Sequence, residues 1–126
     1  MKLIHIICTI ALFTVSCSEK FDLTDHFDPT KSFEVIDQDK PILEEYKIQV
    51  NDLRHAKLLS WLELNNKNWK PTHNEWAGLV IVYQENFRLL LYRNSEFAVV
   101  IITDDENISR YYRRTFDNDG LKFLDE

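Results

Sequence analysis

The chain has 126 residues, 21 of them Asp or Glu and 15 Lys or Arg, for a formal net charge of −6 at pH 7. That balance disfavours nucleic acid and anionic membrane surfaces as partners and suits either a basic partner or a plain acidic, solubilising surface. Two glycines argue against Gly-rich phosphate loops, and two cysteines, Cys8 and Cys17, are too few for a disulfide framework.

Met1-Lys2 opens the chain with positive charge. Leu3 to Val15 is mostly apolar, softened at His5, Thr9 and Thr14, and the small residue Ser16 stands directly before Cys17. The apolar run is about a dozen residues, short of the roughly 20 that a bilayer core requires. A basic start, a short apolar core and a small exit residue mark a secretory signal. Val15-Ser16-Cys17 resembles the lipobox of bacterial lipoproteins, with Thr14 where that pattern usually has leucine. The resemblance implies that residues 1–16 are a signal peptide cut away before Cys17. It also implies that the Cys17 sulfur carries a diacylglycerol, that the new N-terminus is acylated by a fatty acid such as palmitate, and that the protein hangs in the cell envelope from a membrane anchor. Ser18, in place of the aspartate that commonly retains such proteins at the inner membrane, implies the outer membrane of a Gram-negative cell, with the body in the periplasm. One acyl chain holds only reversibly, at about 0.8 kcal/mol per buried CH₂, whereas three hold firmly. Cys8 leaves with the signal and Cys17 is thioether-linked, so thiol catalysis and Cys-ligated zinc are excluded. A plain secretory signal with a chance cysteine is the alternative.

Residues 17–31 read as a tether, polar and ending near Asp28-Pro29, with a reach of about 45 Å at roughly 3.4 Å per residue. Phe21, Leu23 and Phe27 interrupt it and are suited to docking on the domain or touching headgroups. Residues 32–126 suffice for one domain with its own core and not for two.

Phe33-Glu34-Val35-Ile36 is a candidate short strand, and Asp37 to Pro41 a turn. Glu45 to Val50 alternates cleanly, with Tyr46, Ile48 and Val50 on one side, as in a half-buried strand. Asn51-Asp52 stops it and caps a helix, with Asn51 as the acceptor. Leu53 to Leu64 holds Leu, Ala, Arg, Lys and Glu without Gly, Pro or a β-branched residue, and is the best helix in the chain. Leu58, Leu59 and Leu62 form one apolar side and Leu53, Trp61 and Leu64 another, which predicts cover on more than one side. Trp69 to Trp76 reads as a connecting loop. Leu79 to Tyr83, Phe87 to Arg93 and Phe97 to Thr103 are strands joined by short polar turns, a hairpin pattern. The third is apolar on both faces, so the sheet needs a second cover beyond the helix. Ile108 to Phe116 fits helical spacing at Ile108, Tyr111, Tyr112, Thr115 and Phe116. Its aromatic and β-branched content favours a further strand. Asp117-Asn118-Asp119-Gly120 is a turn, and Leu121 to Leu124 a terminal strand or cap.

No catalytic or metal motif emerges. His26, His55 and His73 are not paired at ligand spacing. Asp117-Asn118-Asp119-Gly120 resembles the middle of a calcium loop, but the bidentate glutamate such a loop needs would fall at the chain end, and a turn is the plainer reading. Ser32, Ser60, Ser95 and Ser109 have no evident histidine partner and no G-x-S-x-G context. Two clusters remain as binding candidates. Trp61, Trp69 and Trp76 gather around the helix exit, as core or as a binding surface. Arg110, Tyr112 and Arg114 belong to a basic-aromatic run. That run reads either as charge protecting an edge strand or as a patch for an acidic protein or lipid phosphates.

The expected fold is α+β: an antiparallel sheet of four to five strands with one long helix packed on it. The expected function is a non-enzymatic, membrane-anchored protein-binding module without cofactor, most concretely an immunity or inhibitor protein facing a toxin or lytic enzyme. A small-ligand or lipid carrier, with the sheet lining a cavity, is the alternative.

Overall fold

A computed structural model describes residues 21–38, 40–73, 80–92, 97–116 and 118–125. Seven strands form one antiparallel sheet: β1 (Phe33–Asp37), β2 (Glu44–Ile48), β3 (Lys70–Thr72), β4 (Val80–Gln84), β5 (Phe87–Leu91), β6 (Phe97–Thr103) and β7 (Ser109–Thr115). Their spatial order is β2-β1-β4-β5-β6-β7-β3. Among the described residues one α-helix, α1 (Leu53–Leu64), leads from β2 to β3, and 3-10 segments lie at Leu23–Asp25 and Asn118–Asp125. The architecture is α+β, as the pattern predicts, but the sheet has seven strands rather than four to five. Among the additions, β3 contains Pro71 and sits at the sheet edge. Proline lacks the N–H that a central strand must donate and is tolerated at an edge, which is why Lys70-Pro71-Thr72 looks like loop in sequence. Ser109–Thr115 is a strand, settling the helix-or-strand ambiguity, and Leu121 to Leu124 belongs to a 3-10 segment rather than a strand.

The sheet's first face carries the main core. In-register residues Val35, Val82, Leu89, Val100 and Tyr112 run across five strands, and all but Tyr112 are at most 1% exposed. Helix α1 covers this face with one stripe, His55, Leu58, Trp61 and Leu62. Fully burying a leucine is worth about 1.5–3 kcal/mol, so Leu58 and Leu62 alone justify the docking. The helix is not covered on a second side: Leu53 and Leu64 are 69% and 83% exposed. Its cap is Asp52, not Asn51; the Asp52 carboxylate accepts from the Arg54 backbone N–H at 2.9 Å and pairs with the Arg54 guanidinium. Leu121, Phe123 and Leu124 close the end of the same core, and burial pushes up the pKa of Tyr46, whose hydroxyl donates to the Leu124 carbonyl.

The segment read as a tether is packed on this body from Phe21 onward. Leu23 is fully buried, and Phe27 lies between Phe33 and Phe87. The Gln84 side chain accepts from Asp28 N–H and donates to the carbonyls of Asp28, Lys31 and Ser32. His55 Nε2 lies 2.8 Å from the Lys31 carbonyl; a carbonyl only accepts, so this nitrogen carries the proton. Both side chains are buried, and each satisfies backbone groups that folding would otherwise strand. Among the described residues no helix is long and apolar enough to cross a membrane.

Candidate functional site

The period of two along each strand sends alternate side chains to the second face. There Ile36, Ile81, Leu90, Val99 and Arg113 stand in register across β1, β4, β5, β6 and β7. Beside them runs a second row, Glu34, Tyr83, Arg88, Ile101 and Tyr111. Leu90, Val99 and Ile101 form a separate small cluster, 4%, 0% and 7% exposed, with Ile81, Tyr92, Phe97 and Tyr111 packed against it. The helix and both 3-10 segments send their buried residues to the first-face core, so among the described elements none lies over this cluster. Among the described residues its rim is aromatic and basic. Tyr92 and Phe97 stack at 5.0 Å, and the Arg113 guanidinium sits 4.1 Å above the Phe97 ring. Such cation–π contacts are worth about 0.5–1 kcal/mol at exposed sites.

The surface presented outward is therefore tyrosine rings and cationic heads around an apolar centre. Arg88, Arg113 and Lys70 are exposed on this face and make no ion pair among the described residues. The face's carboxylates lie at its far side, where Glu34 pairs with Lys47 at 3.4 Å. Tyr and Arg around a desolvated centre are the residues that protein interfaces favour.

The residues that the sequence singled out fall elsewhere. Trp61 and Trp69 are each 5% exposed on the core side. Trp61 meets Phe116 edge-on at 5.1 Å. The C-cap Asn65 joins the cluster: its N–H and side-chain amide donate to the Trp61 carbonyl, its own carbonyl accepts from the Trp69 indole, and its side-chain oxygen accepts from Arg114. Arg114 also donates to the Lys67 carbonyl at 2.7 Å. Trp61, Trp69 and Arg114 are thus brought together, but as the latch that closes the helix exit. Tyr112 stacks on Phe21 at 4.0 Å, while Arg110 is exposed. Cys17, Trp76 and the start of the calcium-loop candidate at Asp117 lie outside the described residues. Arg88 was missed although the signal was present: one charge inside Phe87 to Leu91 marks the face turned outward. Lys70 was hidden by Pro71.

Among the described residues no three His, Cys, Asp or Glu converge as metal ligands. A groove of about 340 Å³ at the β4–β5 turn is lined by Lys31, Glu34, Gln49, Tyr83 and Glu85 among others. Its lining mixes polar and apolar surface, with Val50 and Tyr83 beside the charged groups, and it is bridged by the Lys31–Glu85 ion pair at 2.8 Å, which raises the lysine pKa. Compared with known proteins, the chain matches no family model, no curated protein and no solved structure.

Proposed function

We propose that this chain is an envelope lipoprotein, anchored through acylated Cys17 at the outer membrane, that works as a non-enzymatic protein-binding module. An immunity or inhibitor protein is its most concrete form. The observation that carries the binding part is the second sheet face: an apolar centre of Leu90, Val99 and Ile101, edged by Tyr83, Arg88 and Tyr111, with no described element over it. The anchoring part rests on Val15-Ser16-Cys17 at the end of a short apolar run. A carrier would need an apolar cavity, and among the described residues the first face is filled by its own side chains.

The two parts are tested separately. Precursor expressed with labelled palmitate incorporates label, and Cys17→Ala abolishes it; an unlabelled, freely soluble wild type would overturn the anchor. Immobilised protein retains a partner from envelope extracts, and Arg88→Glu with Tyr83→Ala releases it while Leu53→Ala on the exposed helix side does not. Retention indifferent to the sheet-face substitutions would overturn the binding face.

A further inference from the structure

The net charge of the chain conceals a segregation along the sheet. Residues 65–73 and 108–116 contain Lys67, Lys70, Arg110, Arg113 and Arg114 and not one Asp or Glu. The structure joins these two segments: β3 and β7 pair in register, Lys70 with Arg113 and Thr72 with Tyr111, and form one edge of the sheet. The opposite edge is formed by strands within residues 33–48, a stretch whose sequence holds five Asp or Glu and two lysines, Lys40 and Lys47. Six strand spacings of about 4.8 Å separate the two edges, roughly 29 Å. The lysines of the acidic edge are spent on it, Lys40 on Glu44 and Lys47 on Glu34. At the basic edge Arg114 serves Asn65 and backbone carbonyls, and Arg113 covers Phe97.

The chain also enters the body at this edge. Phe21 stacks on Tyr112 of β7, Leu23 N–H donates to the Asn66 carbonyl at 3.2 Å, and Thr24 N–H donates to the Asn66 side chain at 2.9 Å. From Cys17 to Phe21 is four residue steps, at most about 14 Å of extended chain. That is less than two Debye lengths at physiological ionic strength, about 8 Å each.

We infer that the β3–β7 edge is a seat for the anionic headgroups of the leaflet that holds the anchor, so that the sheet stands edge-on with its acidic edge away from the membrane. This rests on the anchored reading above. Net charge alone would repel the body from an anionic surface. Held by so short a link at its basic edge, the body meets the surface with its cations and turns its carboxylates outward. Each Lys or Arg brought near such a leaflet strengthens attachment about fivefold. The cations lie on both sides of the edge, Arg110 and Arg114 toward the core face and Lys70 and Arg113 toward the second face. A planar layer of headgroups meets an edge from both sides, whereas a protein docked on the second face would reach only half of them. Standing edge-on also leaves Arg88 and Tyr83 facing a partner in the periplasm.

The test uses the full lipidated chain in vesicles of phosphatidylcholine, with or without phosphatidylglycerol, containing brominated lipid as quencher. A fluorophore is placed on one introduced thiol, at His73→Cys beside β3 or at Ile42→Cys beside the far edge; both positions are exposed. Quenching is expected at His73→Cys and not at Ile42→Cys, rising with phosphatidylglycerol. Lys70→Glu with Arg110→Glu and Arg113→Glu should remove the phosphatidylglycerol-dependent part. Equal quenching at both positions, or quenching indifferent to phosphatidylglycerol, would overturn the seat, and the lipid series on the unreversed protein decides this even if the reversed variant misfolds. Mass spectrometry separates the causes: no acyl mass on Cys17 overturns the anchor and the seat together, whereas an acylated Cys17 without the asymmetry overturns the seat alone. A triple reversal that leaves quenching intact but abolishes binding of a synthetic acidic peptide assigns the cations to a protein and also overturns it.

Discussion

At the scale of single residues, Asn65 and Trp69 show what a sequence conceals. Three tryptophans near a helix end look alike as core or as binding surface, because either use rewards a large ring with a polar tip. Only the surroundings separate them. The Trp69 ring is nineteen-twentieths buried and its indole N–H is satisfied by Asn65, so it is a structural residue. Trp69→Ala is expected to cost about 3–5 kcal/mol in urea unfolding; a loss below about 1 kcal/mol would mean that the ring packs far less than the geometry requires. Asn65 is the C-cap of α1. Its four hydrogen bonds link α1, Trp69 and β7, and nothing in its neighbours Asn66 and Asn68 distinguishes it in sequence.

At the scale of elements, the turns that cap and enter the body set the acid sensitivity. The Asp52 carboxylate is held below its ordinary pKa by the Arg54 side chain and backbone; Asp22 is held low by Thr24 and Asp28 by Thr30. A depressed folded-state pKa means stability that is complete above the unfolded value of about 3.8 and is lost as pH falls through the lower folded value. The melting temperature is therefore expected to hold from neutral pH to about pH 4 and fall below it. Asp52→Asn should flatten that acid limb, and a limb unchanged in Asp52→Asn together with Asp22→Asn would contradict the assignment. The helix was legible because Leu53 to Leu64 carries no breaker, and β6 because seven apolar-to-Thr residues run between turn signals. The short strand β3 was not, since its pairing partner Arg113 lies more than forty residues away and a three-residue strand holds too few side chains to show a period.

At the scale of the whole molecule, the segment read as a tether is packed on the body from Phe21 onward. Leu23 is fully buried against the core, and the three apolar residues that interrupt the polar stretch, at spacings of two and four, carry the docking they suit in sequence. Leu23→Ala is expected to cost about 2–5 kcal/mol by thermal or urea unfolding, where a true linker residue would cost nothing measurable. The same packing fixes where the chain meets the sheet, so the proposed anchor at Cys17 would couple the orientation of the sheet to the membrane and give the charge segregation mechanical consequence.

By itself the sequence determined the helix at Leu53–Leu64, the α+β class and the two-sided apolar character of the central strands, because each is written in local order: a run, a period, a breaker. Tertiary structure alone decided which face of the sheet the described helix covers, that two separated cationic segments share one edge, and how the entry segment packs. Those depend on strand order and register, which bring residues about 40 to 50 positions apart into contact through pairings that no local period encodes.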